Sequence, residues 1–178
     1  MRLGLKTLIP GALAVMVAGC STLQVHTDYD PSGDFAAYRT FALKDGAKAK
    51  NSLAQARVTK ALVATLEAKG LKQVSGETDL KVYAHFVLGK DVRLYSYGYG
   101  MGGWYGWRWG GGYQTTDVQN IPTGTIVIDL VDGKENRLVW RGTAKDQISR
   151  DITPEERAVK TKEAVDKLFE GFPPKKPV

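Results

Sequence analysis

The chain has 178 residues, 43% of them hydrophobic and 25% charged, a size that suits one folded domain. Its 25 basic and 19 acidic residues give a formal net charge of +6, yet the cations are spread along the chain and form no basic stripe of the nucleic-acid-binding kind. Cys20 is the only cysteine, which excludes an intramolecular disulfide.

The N-terminus begins with Arg2 and Lys6 and no acid, continues as an apolar run to Val17, and ends in Val17-Ala18-Gly19-Cys20. That order of charge, apolar run and small residues is the pattern of a secretory signal peptide. The run is too short to cross roughly 30 Å of hydrocarbon as a helix, and Pro10 interrupts it. The small residues before Cys20 look like the lipobox of bacterial lipoproteins, with Val17 where that pattern prefers leucine. The resemblance implies a diacylglyceryl thioether on Cys20, cleavage of residues 1–19, and acylation of the new amine. Each buried CH₂ contributes roughly 0.8 kcal/mol, and two or more chains anchor a protein stably. Ser21 rather than an acid follows, which resembles an outer-membrane address. Losing Arg2 and Lys6 would lower the net charge from +6 to about +4.

Residues 20–178 then read as a single periplasm-facing domain. Val25 to Asp30 alternates weakly and predicts a strand. Pro31 to Asp34 is a turn, and Tyr38 to Leu43 is a second strand rich in aromatic and β-branched residues. Ser52 to Lys69 is helical, with Ala54, Val58, Ala61, Leu62, Thr65 and Leu66 in one stripe and Gly70 as C-cap. Leu71 to Val74 is a short strand or connector. Leu80, Val82, Ala84, Phe86 and Leu88 alternate with polar neighbours, so this strand is half-buried, and it has a potential extension through Val92 and Leu94. Thr125 to Val131, the Asp132-Gly133 turn and Arg137 to Gln147 predict an antiparallel hairpin, with Leu138, Trp140, Gly142 and Ala144 on its apolar face. Thr153, Pro154 and Glu156 form a capping box with proline at the first helical position. Ala158, Val165, Leu168 and Phe169 extend that helix to about Glu170, before Gly171 and Phe172-Pro173-Pro174 stop it. The expected fold is α+β, an antiparallel sheet with two helices packed on one face.

Several of these residues carry a family likeness. Phe35, Tyr38, Thr40 and Phe41 make its opening. Lys69-Gly70 and Thr78-Asp79-Leu80-Lys81-Val82 make its middle. Gly124-Thr125-Ile126, Leu130, Val139-Trp140-Arg141-Gly142-Thr143-Ala144 and Phe172-Pro173-Pro174 make its end. The chain resembles the bacterial lipoprotein family of the domain of unknown function 4136 over nearly all of its mature length. The resemblance implies a location and a fold, and supplies no catalytic residues.

Tyr95 to Tyr113 is the compositional break, with eight aromatics and eight glycines in nineteen residues. Glycine's backbone entropy and the lack of aliphatic side chains deny it a core of its own. It is expected to be a long hairpin loop. Its rings, Tyr95, Tyr97, Tyr99, Trp104, Tyr105, Trp107, Trp109 and Tyr113, suit a bilayer interface or stacking on a sugar or a partner protein. A functionless flexible loop is the alternative. Gly98-x-Gly100-x-x-Gly103 matches the dinucleotide fingerprint by letter only, because no helix opens after it.

Catalytic and metal signatures are missing from the sequence. His26 and His85 lack a second ligand at a useful spacing. Asp28 and Asp30 lack the rest of a calcium loop, and no Gly-x-Ser-x-Gly occurs. Trp140 is expected in the core and Arg141 on the opposite strand face. The sequence therefore predicts a non-enzymatic lipoprotein without cofactor or metal. Its expected partners are the membrane, through the anchor, and an envelope protein or peptidoglycan. A periplasmic glycan-acting hydrolase using a carboxylate pair is the alternative from a different class.

Overall fold

The structure, a computed structural model, describes residues 22–44, 52–98 and 114–175. The elements run β1 (Gln24–Tyr29), β2 (Thr40–Lys44), α1 (Ser52–Ala68), β3 (Lys72–Gln73), β4 (Leu80–Gly98), β5 (Gln114–Asp132), β6 (Leu138–Gln147) and α2 (Pro154–Leu168). Among the described residues the strands form one six-stranded sheet in the order β1-β6-β5-β4-β2-β3. The fold is α+β, and most pairs are antiparallel as expected. β2 is the exception, running parallel to both β3 and β4. A helix separates β2 from β3, and that crossover permits parallel pairing.

One face of the sheet carries both helices. Val58, Ala61, Leu62 and Leu66 of α1 and Ala164, Val165 and Leu168 of α2 are buried against Leu80, Val82, Ile126, Ile128, Leu130 and Trp140. Thr65 is buried too; its hydroxyl lies 2.9 Å from the Ala61 carbonyl and 2.8 Å from an Asp166 carboxylate oxygen of α2 and shares its one proton between them, linking the helices. The α1 stripe follows the sequence pattern, with Gly70 left-handed at φ 88° beyond its end. In α2 the capping box is present as read. Its apolar face differs by one step: Ala158 is exposed and Ala164 is buried. The helix stops at Leu168 with Phe169 as C-cap, and Gly171 is not left-handed.

Two details escaped the period-two reading of the sheet. A bulge between Leu130 and Val131 shifts the register, so Val139 and Trp140 are both buried while Leu138 is 40% exposed. Gly133 serves close approach rather than left-handedness. A Cβ there would lie 1.8 Å from the Thr78 carbonyl oxygen, and the Gly133 amide donates to Asp79 O at 2.8 Å. The left-handed residue of that turn is Asn136, at φ 55°.

Candidate functional site

β4 and β5 remain in antiparallel register from Leu80↔Asp132 to Gly98↔Gln114. Each strand is 19 residues long, several times the usual strand length of about five or six. The strand beginning at Leu80 thus runs past Leu94, and its partner begins well before Thr125. The inner part is flanked on both sides: β2 pairs as far as Lys44↔Tyr83, and β6 pairs from Thr123 onward. From Val92↔Asn120 outward the two strands form a ribbon with no third strand among the described residues. At about 3.3 Å per residue, that ribbon extends on the order of 20 Å beyond the body.

Polar contacts secure its base. Beyond Tyr83, β4 has no β2 partner. The Gln55 amide of α1 takes over there, donating to Ala84 O at 2.8 Å and accepting from the Phe86 amide at 3.1 Å. Strand hydrogen bonds are thereby kept satisfied. Lys145 of β6 pairs with Asp91 of β4 at 2.7 Å. The Ile148 amide donates to Pro122 O at 2.8 Å.

The chain's first described residues lie beside that base. Gln24, Lys145, Thr125 and Val87 are register partners across four adjacent strands. The Thr22 hydroxyl donates to Asp146, so the side chain two residues after Cys20 meets the end of β6. Leu53, Val87, Leu88 and Val92, all exposed, belong to this same end of the body. Tyr95 and Tyr97 stand in the ribbon at the register positions opposite Asp117 and Thr115. Cys20, Tyr99, Trp104, Tyr105, Trp107, Trp109 and Tyr113 lie outside the described residues.

Two carboxylates at the far end of the body, Asp79 and Asp132, are engaged by local hydrogen bonds. A polar cleft at the far end of the body includes Tyr38, Asp79, Asp132 and Arg137. One Asp79 oxygen accepts from the Arg39 amide (2.9 Å), the Thr40 amide (2.9 Å) and the Thr40 hydroxyl (2.8 Å). The Arg39 amide and Thr40 hydroxyl, above all, hold this carboxyl below the usual carboxylate range. Burial pushes the Asp132 carboxyl up. Donation from the Glu135 amide, the Tyr38 hydroxyl and the Lys134 amide outweighs that and leaves it below the usual range. Burial, and next the bond to Asp132, push the Tyr38 phenol well above the ordinary tyrosine range. These groups brace two turns, and neither carboxyl is positioned to be a proton donor near neutral pH.

Of the remaining candidates, Arg141, His26 and His85 sit on the sheet face opposite the helices. Arg141 is 52% exposed and makes a bidentate pair with Asp129, at 2.6 and 2.7 Å. That bond is the main cause raising its guanidinium pKa. Trp140 points the other way, into the core, at 3% exposure. His26 and His85 fall in one register row, separated by Thr143 and Val127. Asp30 accepts from Ser32 and pairs with Arg137, so it caps a turn. No cluster of three His, Cys, Asp or Glu able to hold a metal occurs among the described residues. Gln55, Asp91 and Lys145, the base of the ribbon, escaped the sequence reading because their partners lie 29 or more positions away.

The sequence profile of a family described as Domain of unknown function (DUF4136) matches residues 25–174. No curated protein matches the chain. Among solved structures, a PDZ domain protein from Parabacteroides distasonis superposes with a TM-score of 0.54 at 15% identity. The match covers 88% of this chain but 38% of that one, so the chain spans well under half of that protein's length. The PelC dodecamer from Paraburkholderia phytofirmans superposes with a TM-score of 0.50 at 11% identity, covering 83% of this chain and 94% of that one. At these identities the likeness is one of fold.

Proposed function

The chain belongs to the DUF4136 family, and from that premise we propose that it is a non-enzymatic envelope lipoprotein that contacts another envelope component through the β4–β5 ribbon. Acyl chains on Cys20 hold it at the periplasmic side of the outer membrane. The ribbon carries the rings of Tyr95, Tyr97, Tyr99, Trp104, Tyr105, Trp107, Trp109 and Tyr113 to a bilayer surface, to peptidoglycan or to an envelope protein.

The observation that carries this reading is the convergence at one end of the body. Thr22, the ribbon base and the exposed Leu53, Val87, Leu88 and Val92 all lie there. An isolated two-stranded ribbon is marginal in water, so an arm of this length gains from a surface to lie against. No helix of the described residues is long and apolar enough to cross a membrane. The braced Asp79 and Asp132 lend no support to a glycan hydrolase.

The full chain carrying Cys20→Ser, with and without residues 96–112, tests the contact. The shortened chain should keep its circular-dichroism melting curve and lose sedimentation with vesicles or with peptidoglycan. Equal sedimentation of both chains on both targets would refute the reading. Labelling of Cys20→Ser by a palmitate analogue in cells would separately remove the anchor.

A further inference from the structure

An open groove of about 530 Å³ lies at the ribbon end of the body, between the first turns of α1 and α2 and the sheet beneath them. That volume is within the range of about 300–1,000 Å³ typical of small-ligand pockets. The two helices touch where Thr65 meets Asp166 and part toward their N-termini, which leaves the space open. Its floor and walls are apolar: Leu23, Leu53, Phe86, Leu88, Ile148 and Ile152 are among them.

The rim has the opposite character. Arg57 of α1 and Arg157 and Lys160 of α2 line the mouth. Positions 157 and 160 lie three apart and so share a helix face. Arg157 donates to the Arg150 carbonyl at 3.1 Å. None of the three joins an ion pair among the described residues. Asp146 is the single acid of the lining, and it already accepts from the Thr22 hydroxyl and the Gln147 amide.

We propose that this groove binds a long-chain fatty acid, the acyl chain along the apolar floor and the carboxylate at Arg57, Arg157 and Lys160. An apolar groove and three cations at its edge call for one molecule with a greasy tail and an anionic head. Charge also decides between this occupant and the chain's own anchor, because the acyl groups expected on Cys20 carry no anion to meet the cations. The inference is independent of the ribbon's role.

Palmitate displacement of a fluorescent polyene fatty acid from the full chain carrying Cys20→Ser is the test. Saturable uptake of one molecule per chain is expected. Hexadecanol, with the same tail and no charge, should bind about tenfold more weakly, the scale of one lost charge-assisted contact. Arg157→Gln with Lys160→Gln should weaken palmitate by a similar factor and leave hexadecanol unchanged. Ala54→Trp should fill the groove and abolish both. Leu53→Asp, at a position already exposed, gives a second route to the same loss without touching the core. Deleting residues 96–112 should leave palmitate binding intact. The proposal fails if there is no saturable uptake, if palmitate and hexadecanol bind equally, or if binding survives both groove variants. It also fails if Cys20→Ser takes up palmitate and the lipidated chain does not, since the anchor itself would then occupy the groove.

Discussion

This chain concentrates its rings in two places: Trp140, Phe169 and Phe172 in the core of the body, and the segment Tyr95 to Tyr113, of which Tyr95 and Tyr97 stand in the ribbon. In the first, Trp140 stacks on Phe169 at 4.7 Å, and Phe172 meets both edge-on at 5.9 and 5.4 Å. Phe35 meets Phe172 edge-on at 5.9 Å and Tyr38 at 6.0 Å. These rings come from a strand, a helix end and two turns, so folding alone assembles them. In the second, glycines separate the rings along one continuous segment. Rings so spaced lack the aliphatic filling that a packed core requires. The same side chains thus serve cohesion where the chain converges, and under the proposed function they serve contact in the glycine-spaced segment.

The largest expected effect breaks the packed half of that contrast. Phe169 is fully buried and in contact with both Trp140 and Phe172. Phe169→Ala should cost about 3–5 kcal/mol, the usual range for deleting a core aromatic ring. Chemical denaturation would measure it. Trp107→Ala, in the glycine-spaced segment, should leave the denaturation midpoint unchanged. A comparable loss from Trp107→Ala would show that both regions are core.

The sequence disclosed one half of this contrast better than the other. Repeats of three and four revealed the α1 stripe, and Thr153, Pro154 and Glu156 revealed the start of α2, because both signals are local. Trp140 and Arg141 fell on opposite faces as strand alternation requires. The parallel seat of β2 beside β4 was hidden, since pairing partners as distant as Phe41 and Leu80 leave no mark on either strand. The bulge that buries Val139 was hidden for the same reason. The aromatic segment was conspicuous by composition. Its support was not: the ribbon's length depends on the continuous register through Gly98↔Gln114, and its base depends on Gln55 and Lys145, which look like ordinary surface residues.

An intermediate effect concerns acid. Asp79 and Asp132 both titrate below their ordinary range in the folded body. A carboxylate depressed by folding contributes its stability fully above the unfolded pKa of about 3.9 and loses it as pH falls through the lower folded value. The body should therefore lose stability as pH falls below about 4. Asp79→Ala leaves the Arg39 and Thr40 donors without their acceptor, at a cost of about 1–3 kcal/mol at neutral pH. It should also flatten the acid limb of a stability profile. An unaltered limb would mean that this carboxylate does not brace the turn.

The smallest effect sharpens the other half. The Asp91–Lys145 pair at the ribbon base has side chains 45% and 36% exposed, and pairs of that kind contribute about 0–1 kcal/mol. Asp91→Asn should leave global stability almost unchanged. Its consequence should be local, because the outer ribbon has no third strand to compensate, while the inner strands are held by β2 and β6. A loss of about 1 kcal/mol corresponds to about a fivefold rise in opening. Hydrogen exchange should show that rise at residues 92–98 and 114–120, with residues 80–86 unaffected. Uniform acceleration along both strands would mean that the ribbon and the body open as one unit, and the division between cohesive and projecting aromatic regions would lose its physical basis.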